Sequence, residues 1–414
     1  IAPQAFSSAY QPLIDHKEDM GVKTMLKTVE AILDEYEGYD APEKIKYFIK
    51  DAIEMYNITY VLLGGGLKSH IFANDRENRN TGTKAWHVPV RYTNIVYNDD
   101  PGCLSDLYYA DIYDSEGNFS SWDSDEDGIY GEYWTDSMDY YPDVYVSRLA
   151  CRKKFEVNLM VRKIINYEST SPDSKSWFKT MVCVAGKTFN LYNGQPDGEY
   201  VTDACIDHMG DLVDEAVKVY ASNRDSGGLV PTSKDIKKAI SSGAGYAFLI
   251  GHGNPYSWNT HWPDEGWAGG LHLQHFPMLF NGKKLPVVIV GGCHNGMFNV
   301  SLLATMFKDG YWTTLPTPFC FSWGLCLVPW GGAIASTGCT GLSLGGPHPI
   351  ILSSELETNF FYEIGQNNTM NLAQAHGDAI SKYINENSIG HSDAHCITIF
   401  QLFGDPSLKF GGYE

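Results

Sequence analysis

Several signatures that would narrow the chemistry of this 414-residue chain are missing from it. No CxxC pair occurs among its nine cysteines, which removes zinc-ribbon and thioredoxin-type readings. No HExxH occurs, so His261, His272, His275 and His294 lack the spacing of a catalytic zinc site. The triple glycine Gly64-Gly65-Gly66 closes the apolar run Tyr60-Val61-Leu62-Leu63 without GxGxxG spacing and without a following Lys-Ser/Thr. It therefore reads as a tight strand exit rather than a phosphate cradle. No apolar run approaches the roughly 20 residues of a membrane-spanning helix. There is no fixed-period repeat and no low-complexity tract. Positive charge is scarce: 30 Lys and Arg stand against 50 Asp and Glu, for a net charge of −20. Nucleic-acid binding, which needs a basic surface, is excluded on that ground. The chain opens on Ile1, not an initiator residue, and is expected to be a processed or trimmed form.

What is present is a well-stocked core, with 43% hydrophobic and 13% aromatic residues. Asp40 and Glu43 mark a helix start, and Ile45, Phe48, Ile49, Ala52, Ile53 and Tyr56 follow at helical spacing. Strands are expected at 60–63, 142–149, 181–185, 246–250, 285–290, 330–338 and 397–403. Helices are expected between them, one with Val157, Met160, Val161 and Ile164 on one face and another running through Met209, Leu212, Val213, Ala216, Val217 and Tyr220. A third is capped by Thr232 and Ser233, a fourth spans 300–307, and two more lie near 355–364 and 372–385. Alternation of this kind predicts an α/β fold, a mostly parallel sheet with helices on both faces.

Residues 97–143 break the pattern, with fourteen Asp and Glu and no Lys or Arg. At their centre, Asp123-Ser124-Asp125-Glu126-Asp127-Gly128 has the DxDxDG spacing of a calcium loop, three carboxylates around one point with a glycine at the sharp turn. The twelfth position, a bidentate Glu in an EF-hand, is Trp134. The remaining ligands must come from Glu132, Asp136 or backbone carbonyls. The predicted metal set is Asp123, Asp125, Asp127 and Glu132, with calcium as a structural ion; a solvated acidic loop is the alternative.

Two apolar runs end in small residues and one reactive side chain each. Tyr246-Ala247-Phe248-Leu249-Ile250 leads through Gly251 to His252-Gly253, and Val287-Val288-Ile289-Val290 leads through Gly291-Gly292 to Cys293. Ligands bind outside the carboxyl ends of strands in open α/β sheets. A thiol beside an imidazole there makes a nucleophile and its base. The N–H groups of Gly253 and Cys293 would form a two-donor oxyanion hole. Taken singly, each residue is more often structural; the matched contexts raise the pair. His294 is directed away from Cys293 by the continuing backbone and is a poor base for it.

These two blocks resemble the signature blocks of the caspase–hemoglobinase clan of cysteine peptidases. Further stretches resemble its gingipain-type family: 60–65, the acidic 122–132 segment leading to 141–149, Cys293-His294-Asn295-Gly296, 332–338, and Phe403-Gly404-Asp405-Pro406-Ser407-Leu408. The resemblance implies a caspase-like αβα sandwich in two subdomains, 1–150 with the acidic calcium-loop insertion and 151–414 carrying catalysis. It implies a secreted cysteine endopeptidase acting on proteins or peptides, with Cys293 as nucleophile and His252 as general base and acid. It also implies a preference for Arg or Lys before the scissile bond, with an acidic pocket floor, assigned to Asp203, and a wall at 334–338 that includes Ser336 and Thr337. In that family an acid orients the histidine from the strand that here ends Ala185-Gly186-Lys187. No carboxylate stands there, and Asp197 and Glu199 are the nearby possibilities. The chain ends before the position of the immunoglobulin-like module of gingipains. The reading from another class is a calcium-stabilised, non-catalytic binding or surface protein on a degenerate peptidase scaffold.

Overall fold

A computed structural model describes residues 1–73, 84–98, 100, 102–169, 171–264, 266–303, 316–346 and 348–413. Its centre is an eight-stranded sheet. In chain order the strands are β1 (Tyr60–Leu63), β2 (Tyr145–Arg148), β3 (Thr180–Ala185), β4 (Glu215–Tyr220), β5 (Tyr246–Ile250), β6 (Val287–Gly291), β7 (Ala335–Cys339) and β8 (Phe400–Phe403). Their spatial order is β1-β2-β8-β7-β6-β5-β3-β4. Every pairing is parallel except β7 with β8, where Ser336 faces Phe403 and Cys339 faces Phe400. Strand direction therefore reverses once across the sheet. β5 and β6 are buried at all ten positions, as their uninterrupted apolar text requires.

Helices cover the sheet in groups. Ser7–Asp19 packs on Lys154–Glu168, while Ser353–Gly365 packs on both Asp197–Met209 and Leu372–Glu386. The helix Ala41–Tyr56 starts where its sequence says it should. Asp40 Oδ1 accepts the Glu43 N–H at 3.0 Å, and the helix ends at Asn57 in the left-handed region (φ 52°). Segments 1–150 and 151–413 share the one sheet, because β8 pairs with β2. The buried apolar residues nonetheless fall into two large clusters. One draws mainly on 29–146 with part of the C-terminal helices, and the other includes β3, β5 and β6.

Three expectations need correction. Residues 215–220 are an edge strand, not the continuation of a helix: Ala216, Val217 and Tyr220 match helical spacing, but Val217, Val219 and Tyr220 are β-formers paired along the whole of β3. Residues 300–303 are not helical, and the rest of the helix expected at 300–307 lies outside the described residues. The last strand is shorter than expected, because Ile397–Ile399 complete the helix His391–Ile399. The antiparallel sheet of His252–Gly253, Ser257–His261 and Trp267–His272 was not foreseen. Among the described residues no helix is long and apolar enough to cross a membrane.

Candidate active site

β5 and β6 pair with Ile250 opposite Gly291, and the ladder continues with the Gly251 N–H donated to the Gly291 carbonyl at 2.9 Å. His252 and Cys293 each stand two residues beyond that last pair, at the carboxyl ends of neighbouring strands. Both residues are half-buried, and Cys293 alone of the nine free cysteines is not fully buried. The two glycines before and after this crossing are required by space. A Cβ on Gly253 would stand 2.0 Å from Asn295 Oδ1, and one on Gly292 2.6 Å from the same atom and 3.0 Å from Gly253 N. Asn295 holds the turn after His252 by donating its amide to the Asn254 and Ser257 carbonyls (2.8 and 3.0 Å).

The imidazole Nε2 of His252 lies 2.8 Å from the carbonyl oxygen of Thr188. A carbonyl only accepts, so Nε2 carries the proton and the Nδ1 lone pair is left as the acceptor. Phe189, His261 and Trp267 surround the ring, with centroids 5.6, 5.0 and 5.6 Å away. Burial, chiefly, and His261 lower the His252 pKa, against the raising effects of the Thr188 carbonyl and Asp197. The Cys293 thiol donates to the Ser343 carbonyl (Sγ···O 3.6 Å), and burial pushes its pKa up to about 11. Both shifts favour the uncharged forms, a neutral thiol and a neutral imidazole. Thr188, His252, Cys293 and Ser343 follow β3, β5, β6 and β7, four consecutive strands whose carboxyl ends share one edge.

The family's expected acid after β3 is replaced, at the ring itself, by the Thr188 backbone carbonyl. No pattern of side chains signals a backbone partner, which is why sequence reasoning missed it. His294 faces away from the dyad: its Nε2 lies 3.0 Å from Asp100, which also accepts the Leu342 N–H at 2.9 Å. Asp203 is already engaged by Lys218 (2.6 Å), Tyr220 (2.7 Å) and Gln195 (2.9 Å). Ser336 and Thr337 are fully buried within the sheet, between β6 and β8, so they present no wall to a substrate. The part of this segment that abuts Cys293 is the exit after β7, at Ser343.

Against β6, below Cys293, lies a group the sequence did not flag. Glu357 is 2% exposed, its Oε1 has no hydrogen-bond partner among the described residues, and a Cβ at Gly291 would stand 2.6 Å from its Oε2. Burial alone raises its pKa to about 8. A carboxyl raised above its unfolded value contributes stability that is complete below about pH 4.5 and is lost as pH rises through about 8. Glu357→Gln keeps the shape without the proton demand. It is expected to raise unfolding free energy at pH 7 by on the order of 3 kcal/mol and to leave it nearly unchanged at pH 4.5. Denaturant unfolding at both pH values checks this; an equal gain at both would count against a titrating Glu357.

In the acidic segment, Asp123, Asp125 and Asp136 form one group and Asp125, Asp127 and Glu132 another, with oxygens within 4.8 Å of one another in each. Asp136 is 8% exposed, and burial lifts its pKa to about 6; Asp123 and Glu132 are raised too. An all-carboxylate oxygen set suits a hard cation such as calcium. Trp134 at the twelfth position is 84% exposed, outside the cluster, and Asp136 joins the ligand groups through Asp123 and Asp125.

An α/β sandwich with a thiol and an imidazole at adjacent strand ends defines the class of the caspase-like cysteine peptidases. The chain belongs to peptidase family C25, which it matches over residues 1–411. It is similar to gingipain R2 of Porphyromonas gingivalis, at 24% identity over 322 residues covering 75% of this chain and 34% of that protein. It is also similar to gingipain R1 of the same organism, at 23% identity over 308 residues covering 73% and 24%. The chain thus spans about a third or less of these curated relatives. The crystal structure of the Arg specific cysteine proteinase gingipain R superposes with a TM-score of 0.67 at 18% identity, covering 99% of this chain and 76% of that one. That structural likeness carries the fold.

Proposed function

We propose that this chain is a cysteine endopeptidase, and the observation that carries the reading is that Cys293 and His252 stand just beyond the carboxyl ends of the paired strands β6 and β5, with His252 Nε2 tied to Thr188. The thiol proton passes to His252 Nδ1 as sulfur attacks the peptide carbonyl carbon, forming the S–C bond and a tetrahedral oxyanion. The Gly253 and Cys293 N–H groups are the donors for that oxygen. Collapse breaks the C–N bond as His252 returns the proton to the departing amine, leaving a thioester. Water, deprotonated by His252, then releases the acid and restores the thiol. Because both partners rest neutral, proton transfer accompanies attack instead of preceding it.

An Arg or Lys preference before the scissile bond is the finer part of the reading. The likeness to an Arg-specific relative supports it, while the Lys218–Asp203 pair stands against Asp203 as the pocket floor unless substrate displaces Lys218. Calcium at Asp123, Asp125, Asp127 and Glu132, with Asp136, would supply rigidity to the insertion and take no part in the chemistry. Acidity, a calcium site and the gingipain relatives support an extracellular location, where free calcium is high. A non-catalytic binding protein is the second reading, favoured by the carbonyl where gingipains place an acid on the histidine.

Cleavage-site profiling of a denatured protein mixture separates these readings. New termini present with the protein and missing with its Cys293→Ala variant are expected. Identical terminus sets would overturn the peptidase. Arg or Lys enriched before the cuts would support the finer preference, and any other enrichment would remove it.

A further inference from the structure

The loop after β3 is held by one carboxylate. Asp197, first residue of the helix Asp197–Met209 and 7% exposed, accepts the N–H groups of Thr188 (2.7 Å), Phe189 (2.9 Å) and Asn190 (3.2 Å), and that of Gly198 (3.0 Å). The Phe189 N–H and the Thr188 carbonyl belong to the same peptide group. One end of that group donates to Asp197 Oδ2, and the other accepts from His252 Nε2 at 2.8 Å. We propose that Asp197 is the positioning residue for His252, acting through the Thr188–Phe189 peptide as carboxylate, peptide and imidazole in series. The proposal rests on the peptidase reading of the site.

The physical grounds are threefold. Gathering three successive N–H groups fixes the orientation of the Thr188 carbonyl, and with it the Nε2–H tautomer that leaves Nδ1 for the thiol. Hydrogen bonds in a chain polarise one another, so a full negative charge on the far side of the peptide strengthens the carbonyl as an acceptor. That strengthening is greatest when His252 becomes cationic during attack. The groups facing the imidazole are His261, Phe189, Trp267 and the Thr188 carbonyl, and the Cys293 thiol enters as its partner only on the peptidase reading. Of the charged groups acting on it, Asp197 raises its pKa and His261, when protonated, lowers it. Removing the carboxylate charge therefore weakens the imidazolium.

Asp197→Asn tests the idea, because the amide keeps the size of the side chain, loses the charge and turns an NH2 towards N–H donors. Expected are a fall in kcat of roughly 10- to 100-fold, a part of what general acid–base catalysis is worth, with KM within about 2-fold on the same peptide. The acid limb of kcat/KM should move to lower pH, and Asp197→Glu, which keeps the charge, should regain most of kcat. A second measurement needs no turnover. In the Cys293→Ala background, nitrogen NMR of His252 should show the Nε2–H tautomer with Asp197 and a mixed tautomer with a lower pKa in Asp197→Asn. An unchanged tautomer and pKa would overturn the proposal. So would a rise in KM confined to substrates with a basic side chain, which would make Asp197 a substrate-reading acid. If the wild-type chain cleaves nothing, the peptidase reading fails, and the NMR comparison still decides whether Asp197 positions the ring.

Discussion

Cys293→Ala is expected to lower peptide cleavage by roughly 10⁴-fold or more, since deleting the nucleophile of a catalytic group leaves only binding and oxyanion stabilisation. The fold should be little affected, because the change removes one sulfur from a half-buried side chain whose polar contact is the Ser343 carbonyl. Retained turnover would end the assignment. Iodoacetamide gives the same answer chemically. The other eight cysteines are buried, so Cys293 should be the site of labelling, with activity lost in step. The pH course of labelling tests the neutral dyad. With the thiol raised to about 11, the thiolate is a small fraction at pH 7, on the order of 10⁻⁴, and labelling should accelerate nearly tenfold per pH unit up to about pH 10. A plateau below pH 8 would mean a preformed thiolate–imidazolium pair.

Calcium removal is the second large effect. At a hundredfold excess of free ion over Kd, binding to the folded state alone contributes about 2.7 kcal/mol. A chelator should withdraw that, lowering the melting temperature by several degrees. Asp125→Ala should abolish most of the response, because Asp125 belongs to both carboxylate groups. The chelator effect should not reach the dyad chemistry directly, so kcat at a temperature well below melting should change little. An identical melting curve with and without chelator would dispose of the calcium loop.

Much of this was legible in the chain, for physical reasons that differ by element. The helix after Asp40 announces itself through a capping residue and an apolar stripe, both local. β5 and β6 announce themselves through apolar runs too short for helices, and their glycine-bounded ends carry His252 and Cys293 just past the last pair of the two strands. β4 was misread because an edge strand with polar Glu215 and Lys218 has no periodicity distinct from a helix end. Ser336 and Thr337 were assigned to a pocket wall from the family resemblance alone, and the fold buries both side chains inside the sheet. The partner of His252 could not be read at all, since every residue carries a carbonyl and only the fold selects Thr188. Asp136 became a stronger ligand candidate once folding brought it beside Asp123 and Asp125, thirteen and eleven positions earlier in the chain.

The single reversal of direction between β7 and β8 has a topological consequence. β2 runs with β8, so its amino end rather than its carboxyl end lies on the edge where Cys293 and His252 sit. The acidic segment leads straight into that amino end, and its Asp100 reaches His294 and Leu342 beside the nucleophile without any chain having to cross the sheet. The three strands beyond that reversal, β8, β2 and β1, thus let forty-odd residues be inserted ahead of β2 on the rim that carries Cys293 and still brace the loops around its thiol.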